Sequence, residues 1–312
     1  MPSYSGVWNL TAVMQAVGAG NWTNPIAEIA MFFGGNPGTA SNIIQYVTIA
    51  TTGNAIDFGD ITYIVDNAAS FSSSSRAIVS GGIGSGGVTN SISYVTFAVP
   101  GNTSDFGDLT IAREGLAACS SSVRGVIGGG VGGGALRNVI DYVTIASIGN
   151  ATDFGDLIAS VRALAACSSV SRGIFAGGFT GSNTNVIQFI TIASTGNATD
   201  FGDLVSARRY LGGASNSTRG LFGGGSSTNI IDYITIASTG NATDFGDLPQ
   251  SGELMGSAAG SLRVVWAGGE SPYRTNIINY VTIASTGNAI DFGDLVLAMA
   301  SPAGCSNVHG GL

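Results

Sequence analysis

The sequence predicts an all-β fold, a six-bladed β-propeller with four strands in each blade. A unit of 44 to 48 residues repeats along the chain, its best-kept segment is rich in β-branched residues, and the last residues repeat a pattern that the first unit lacks. Four short strands per unit, with β-branched stretches separated by glycine-rich turns, are typical of propeller blades. We therefore expect one closed ring of small sheets.

The tetrapeptide Asp-Phe-Gly-Asp marks each of the six units. It begins at Asp57, Asp105, Asp153, Asp200, Asp244 and Asp291. A second repeated element, an apolar run ending in a glycine pair, precedes it in every unit, as in GIFAGG at 173–178. The regular spacing of both elements predicts six copies of one supersecondary unit.

Each unit divides into four predicted strands. The first is rich in small residues, as in LAACSS at 164–169, and the second is the apolar run into the glycine pair. The third is the Val/Ile/Tyr/Thr segment, and the fourth starts at Asp-Phe-Gly-Asp. No helical apolar stripe is present, and the β-branched content of the third segment favours strands.

The chain ends predict how the ring closes. The first unit begins near Glu28 without a first strand, and the segment at 300–312 repeats the first-strand pattern after the sixth unit. A C-terminal strand that completes the first blade would remove the exposed sheet edges. We predict a leader at 1–27 and a propeller at 28–312, with seven blades as the alternative if residues 6–24 contribute strands.

Composition excludes several classes of protein. Charged residues are only 10% of the chain, lysine is absent, and the net charge is −8, which argues against binding to nucleic acid or to anionic membrane surfaces. No 18-residue window is apolar enough to span a bilayer, and the N-terminus lacks the pattern of a signal peptide. We expect a chain made in the cytoplasm, without disulfides or membrane insertion.

The repeats resemble those of kelch-type propellers, with a glycine pair, a tyrosine-bearing third strand and an aromatic residue in the fourth. Phe stands where kelch units usually have Trp, and the hairpin between Tyr233 and Phe245 is longer. The segment YVTIASTGNATDFGDL is similar to repeats in structural proteins of tailed bacteriophages, and the leader is similar to a segment that precedes them. The resemblance implies a tail, appendage or capsid-surface component of the virion.

The repeated charges have a structural interpretation. Asp and Gly of the tetrapeptide are expected to shape a turn while Phe packs between blades, with Ca²⁺ binding by the repeated Asp as a weaker alternative. Five arginines precede the glycine pair at equivalent positions. They are Arg76, Arg124, Arg172, Arg219 and Arg263. We expect them to pair with the repeated Asp, the alternative being an anion-binding ring.

The cysteines and the single histidine suggest packing rather than chemistry. Cys119, Cys167 and Cys305 occupy equivalent first-strand positions, where small residues suit the crowded centre of a propeller. His309 cannot belong to a site with several histidines. We predict no metal, no cofactor and no catalytic residue.

We expect the residues that bind a partner to lie in the segments whose sequence differs between units. The loops between the second and third strands differ most, and their residues most suited to recognition are Arg137, Glu270, Tyr273 and Arg274. The leader carries apolar residues suited to docking or to packing on the propeller itself. They are Trp8, Leu10, Met14 and Trp22.

These observations favour a non-enzymatic virion component that docks onto other virion proteins in an oligomeric assembly and contacts a host-surface glycan or receptor. A cellular kelch-like scaffold is the alternative. A propeller glycosidase or lyase ranks below both, because few acids fall outside the repeat and an enzyme needs several unique groups at one site.

Overall fold

The computed structural model describes residues 27–270 and 272–312 and confirms the predicted fold. Six four-stranded antiparallel sheets form the blades of a propeller, and two further two-stranded hairpins lie in loops. Within the described residues, no helix is long and apolar enough to cross a membrane. The leader residues Trp8, Leu10, Met14 and Trp22 lie outside the described part of the chain. The seven-blade alternative is wrong, because the first strands of the six described blades already form a closed ring.

The strands of each blade are given from the inside of the ring outwards. Blade 1 contains β28 (Ala303–Ser306), β1 (Ile29–Phe33), β2 (Ser41–Thr48) and β3 (Ile56–Val65). Blade 2 contains β4 (Ala69–Ser72), β5 (Arg76–Ser80), β8 (Ser91–Thr96) and β9 (Ser104–Asp108). Blade 3 contains β10 (Ala117–Ser120), β11 (Arg124–Gly128), β14 (Val139–Thr144) and β15 (Thr152–Asp156). Blade 4 contains β16 (Ala165–Ser168), β17 (Arg172–Ala176), β18 (Val186–Thr191) and β19 (Thr199–Asp203). Blade 5 contains β20 (Gly212–Ser215), β21 (Arg219–Gly223), β22 (Ile230–Thr235) and β23 (Thr243–Asp247). Blade 6 contains β24 (Gly256–Ala259), β25 (Arg263–Ala267), β26 (Ile277–Thr282) and β27 (Ile290–Asp294).

The hairpins lie in the loops between the second and third strands of blades 2 and 3. They are β6 (Ile83–Gly84) with β7 (Gly87–Val88), and β12 (Val131–Gly132) with β13 (Ala135–Leu136).

The first strands of the six blades contact one another in a closed ring around the axis. Because the strands of a blade are antiparallel, the second-to-third-strand loops and the connectors between blades share one end of the propeller, which we call the loop face. The opposite end carries the remaining hairpin loops and residues 307–312, and we call it the tail face. The loops of the propeller are thus divided between two faces.

The C-terminal strand closes the ring as predicted. β28 pairs antiparallel with β1, and Phe33 and Ala30 lie opposite Ala303 and Ser306. Beyond the strand, Asn307 accepts a hydrogen bond from the Ile29 backbone N–H at 2.8 Å and donates one to the Ala27 carbonyl at 3.0 Å. Blade 1 is therefore built from both ends of the propeller.

Asp-Phe-Gly-Asp lies within the fourth strand, and the predicted turn is wrong. In blade 3, Gly155 lies opposite Ile140 but Asp153 lies opposite Asp141, so Phe154 is an extra residue in a β-bulge. The same shift occurs in all six blades. A bulge twists the strand and redirects a side chain, and here the redirected phenylalanine is buried between neighbouring blades, as predicted.

Adjacent blades are joined at their outer edges by the same three hydrogen bonds at each junction. Between blades 5 and 6, the backbone N–H groups of Gly287 and Ala289 donate to Phe245 and Asp247, both at 2.8 Å. Asn288 accepts from the Asp247 N–H at 3.0 Å. The repeated Gly-Asn-Ala and Asp-Phe-Gly-Asp sequences are therefore the two sides of one contact between blades.

Gly246 has no space for a side chain at this contact. A Cβ there would lie 2.5 Å from the Gly287 carbonyl oxygen, whereas one at Gly287 would meet nothing within 4 Å. Both residues have positive φ, 146° and 156°. We expect Gly246→Ala to cost about 1–3 kcal/mol more unfolding free energy than Gly287→Ala, because of the additional steric clash. Chemical denaturation of the two variants measures the difference, and equal losses would contradict a close blade contact.

The three cysteines are buried at equivalent first-strand positions, as expected for packing residues. Burial raises the pKa of the Cys119 and Cys305 thiols to about 12 and also raises that of Cys167. The thiols are therefore protonated at neutral pH, which disfavours nucleophilic chemistry.

Candidate functional site

The centre of the loop face is a depression lined by two consecutive residues from each of the six connectors. Its volume is about 90 Å³, and a cavity of about 100 Å³ between the first strands adjoins it. The lining residues are Asn67, Ala68, Gly115, Leu116, Ala163, Leu164, Tyr210, Leu211, Leu254, Met255, Ser301 and Pro302. We call this depression the axial mouth.

The first residue of each pair has a left-handed backbone conformation. The φ angles of Tyr210 and Leu254 are 58° and 61°, and Asn67, Ala163 and Ser301 are similar. Such values are rare for non-glycine residues and cost of order 1–3 kcal/mol each. Hydrogen bonds between blades compensate in part, since the Tyr210 N–H donates to the Ala163 carbonyl at 2.8 Å and Leu254 to Tyr210 at 3.0 Å.

The tail-face end of the axis is lined by a ring of serines. The hydroxyl groups of Ser120, Ser168 and Ser215 donate to the carbonyl of the equivalent serine in the preceding blade, at 2.7 to 2.8 Å. Ser72 and Ser306 continue the pattern. Blade 6 has Ala259 at this position. The Gly310 N–H donates to the Ser215 carbonyl at 2.8 Å, so the C-terminal segment supplies the hydrogen bond that Ala259 cannot.

His309 inserts at this end of the axis and lines a cavity of about 40 Å³. Its Nδ1 accepts a hydrogen bond from the Gly311 N–H at 3.0 Å, so Nε2 carries the proton in the neutral ring. The Nε2–H group lies 3.0 Å from the Ser120 hydroxyl and 3.2 Å from the Ser72 carbonyl. The C-terminal segment thereby closes the tail-face end of the axis.

Acidification is expected to weaken this closure. Burial lowers the pKa of His309 from 6.5 to about 4, so the unfolded chain binds the proton more tightly than the folded protein does. The contribution of neutral His309 is therefore present above pH 6.5 and is lost as the pH falls towards 4. In thermal melts, we expect His309→Gln to be less stable than the parent at pH 7.5, with the difference shrinking or reversing at pH 5. A difference independent of pH would contradict a buried neutral imidazole.

The predicted pairing of the repeated arginines with the repeated Asp is wrong. Arg172 lies over the Phe189 ring, with Cζ 4.8 Å from the centroid, and its Nη1 donates to the Ile236 carbonyl of the next blade at 2.9 Å. Arg76, Arg124, Arg219 and Arg263 make the same two contacts with their own blade's Tyr and the next blade's backbone. The third strand lies between the arginine and the Asp of its own blade, and its aromatic ring meets the guanidinium first.

Two buried ion pairs were missed in the sequence. Arg113 Nη2 lies 2.6 Å from Asp141 Oδ2, and Arg208 Nη2 lies 2.8 Å from Asp232 Oδ2. They are the two ion pairs within the described residues. Aligning the units would have shown the pattern, because only the two units with Arg at this connector position have Asp at this third-strand position.

The two ion pairs differ in the hydrogen bonds that their carboxylates accept. Thr110 donates to Asp141 Oδ1 at 2.6 Å, but the equivalent residue in the next pair is Val205. Asp232 Oδ1 consequently has no partner, and burial raises the pKa of this carboxyl. Both pairs lie under the loop face, where they fix the connectors that form the axial mouth.

The predicted loop residues lie in two separate places. Glu270, Tyr273 and Arg274 share one loop of blade 6, where Glu270 and Arg274 form a backbone bridge and Tyr273 is 82% exposed. Arg137 lies in blade 3, three blades away around the ring, and its Nε donates to the Gly132 carbonyl at 3.0 Å. All four are on the loop face, but they do not form one site.

The net charge is distributed unevenly. The repeated Asp residues lie on the outermost strands of the blades, and the first Asp of each tetrapeptide is exposed. The loop face carries equal numbers of arginines and acids. They are Arg137, Arg162, Arg209, Arg274, Asp66, Glu114, Glu253 and Glu270. Among the described residues, no three His, Cys, Asp or Glu side chains converge as metal ligands would.

The fold and the axial mouth define a six-bladed β-propeller with one end of its axis closed by its own C-terminal segment. No protein-family model matches the chain, and no curated protein matches it significantly.

Proposed function

We propose that the protein is a non-enzymatic binding component of a tailed-bacteriophage particle that recognises its partner through the loop face. The observation that carries the proposal is the asymmetry of the propeller. The tail face is occupied by residues 307–312, whereas the loop face has the axial mouth and the loops that differ most between units. Variable loops on a rigid scaffold are typical of recognition surfaces.

The virion context is supported by the resemblance of the repeat to those of phage structural proteins. Ala27, the first described residue, contacts Asn307 at the tail face. A leader that docks onto the particle from that side would leave the loop face directed away from it. We then expect the tail face to bind other virion proteins and the loop face to bind a host-surface glycan or receptor.

Mass spectrometry of gradient-purified particles of the encoding phage tests the context. We expect the chain at a fixed stoichiometry with the major structural proteins. Its absence from particles would remove the virion role and favour the cellular scaffold.

Binding of the purified protein to host cells tests the face. Tyr273→Ala combined with Arg274→Ala should reduce binding if the blade 6 loop contributes, whereas Val123→Ala on the tail face, an exposed residue of a first-to-second-strand loop, is the control. Equal loss in both variants would contradict recognition through the loop face.

A glycosidase is the alternative with an observation in its favour. Burial and the nearby Asp66 raise the pKa of Glu114, as expected for a carboxyl that acts as a general acid. Release of reducing sugar from host polysaccharide, abolished by Glu114→Gln, would replace the non-enzymatic proposal. His309 lies at the opposite face and cannot assist.

A further inference from the structure

Three of the eleven arginines have guanidinium groups that make no hydrogen bond or ion pair with any described residue. The other eight donate to backbone carbonyls or to a buried Asp. The three exceptions are Arg162, Arg209 and Arg274, all on the loop face. Two of them, Arg162 and Arg209, come together at one aromatic ring.

That ring is Phe179, in the second-to-third-strand loop of blade 4. Arg162 Cζ lies 5.4 Å from its centroid and Arg209 Cζ lies 5.0 Å from it, so the two charges are within about 10 Å of each other. Arg209 also lies over the ring of Tyr210, at 5.5 Å. The cluster therefore bridges blades 4 and 5, and through Tyr210 it reaches the axial mouth.

The backbone around the cluster is held firmly. Arg162 and Phe179 exchange two backbone hydrogen bonds of 2.8 and 3.1 Å. The Ser226 hydroxyl accepts from the Arg209 N–H at 3.1 Å and from the Asn183 side-chain amide at 3.0 Å. These contacts fix the backbone of both connectors, and the rings of Phe179 and Tyr210 lie against the guanidinium groups. Little further ordering of the two arginines is therefore needed when a ligand binds.

The guanidinium groups of the cluster keep donors for an anion. Glu114 interacts electrostatically with Arg162 but forms no hydrogen bond or ion pair with it. Four side chains of the cluster are half-buried, and the aromatic rings satisfy only the faces of the guanidinium groups, leaving their N–H donors unused. Guanidinium groups bind carboxylates and phosphates through such donors. Nucleic acid is disfavoured, because its binding needs many cations and this chain carries a net charge of −8.

We infer that Arg162 and Arg209 bind the carboxylate of an acidic saccharide, whose ring contacts Tyr210 and the axial mouth. Asn183 and Ser226 lie beside the cluster and suit sugar hydroxyl groups. The inference rests on the proposed function, since it names the class of glycan that the loop face would recognise. The repeated arginines of the tail side do not serve this role, because Nη1 of each donates to a backbone carbonyl of the next blade and holds the guanidinium group in the contact between blades.

Isothermal titration calorimetry with defined saccharides tests the site. The probes are oligomers of galacturonic acid and of N-acetylneuraminic acid, with carboxyl-reduced oligogalacturonate as the neutral control. We expect an acidic oligomer to bind, more weakly as salt rises, and the neutral control to bind at least tenfold more weakly. The variant Arg162→Gln/Arg209→Gln should lose about tenfold or more in affinity, as expected for charged hydrogen bonds.

The matched control is Val123→Glu/Val170→Glu, which lowers the net charge by the same two units through exposed residues of the tail face. It should keep most of the affinity and the same melting temperature. Equal binding of acidic and carboxyl-reduced oligomers, equal loss in both double variants, or no binding of either acidic oligomer at millimolar concentration would overturn the inference. Binding of inorganic phosphate, without binding of either acidic saccharide, would also overturn the inference and assign the cluster to phosphate groups.

The outcomes separate this inference from the proposed function. If the chain is present in particles but binds no acidic saccharide through these arginines, only the inference fails. If it binds them through these arginines but is absent from particles, the virion role fails and the site remains.

Discussion

Deleting residues 303–312 is expected to abolish the folded propeller, whereas deleting only 308–312 should leave it folded. The longer deletion removes β28, so blade 1 loses its inner strand and β1, with the buried Phe32 and Phe33, is left with an unpaired edge. The cost of exposing this core exceeds the 5–15 kcal/mol by which proteins are typically stable.

The shorter deletion is the matched control. It keeps β28 and Asn307 but removes His309 and the Gly310 hydrogen bond to Ser215. A few hydrogen bonds of about 0.5–1.5 kcal/mol each are lost, so the melting temperature should fall by several degrees at most. Circular dichroism melts compare the two. Cooperative melting of the longer deletion close to the parent temperature would show that blade 1 does not need β28.

The second large effect is expected at the buried pair beneath the loop face. Asp141→Gln leaves the Arg113 guanidinium buried without its counter-charge, which should cost about 3–5 kcal/mol of unfolding free energy. Adding Arg113→Val should recover most of this loss. The double variant reproduces the combination that blade 4 already uses, Val161 with Gln188.

The blade 4 combination keeps the acceptor that the site requires. Gln188 Oε1 accepts the Ile158 N–H at 2.8 Å, as Asp141 accepts that of Thr110. Denaturant titration of the two single variants and the double variant gives the coupling free energy. If the double variant is no more stable than Asp141→Gln alone, the pair is not exchangeable between units and the charge is not the source of the loss.

The repeat spacing was sufficient to predict the architecture, because one unit aligned six times reveals its strands and its closing segment without any contact information. Contacts between different units were not visible in the same way. The sequence predicts an ion pair between Arg172 and an Asp. In the structure, Arg172 contacts Phe189 of its own blade and the Ile236 carbonyl of the next blade, and the second contact depends on how the blades are arranged. The cluster of Arg162, Phe179 and Arg209 is likewise assembled from two units.

The axial mouth was not predictable for another reason. Tyr210 and Leu254 adopt positive φ, and neither residue type signals that conformation in a sequence. The ring of six connectors imposes it. The C-terminal segment gave a stronger signal, because its likeness to a first strand was recognisable, yet the insertion of His309 into the axis depends on contacts with Ser72 and Ser120 that only the closed ring provides.

The split origin of blade 1 has a consequence for biosynthesis. β28 is translated after every other strand of the ring, although its partner β1 is translated before them. Blades 2 to 6 are each continuous in sequence and can form as they leave the ribosome, while blade 1 waits with an open edge. Closure of the ring by β28 is then the last step of folding. During translation, the unpaired edge of β1 is exposed, and a chaperone would have to protect it.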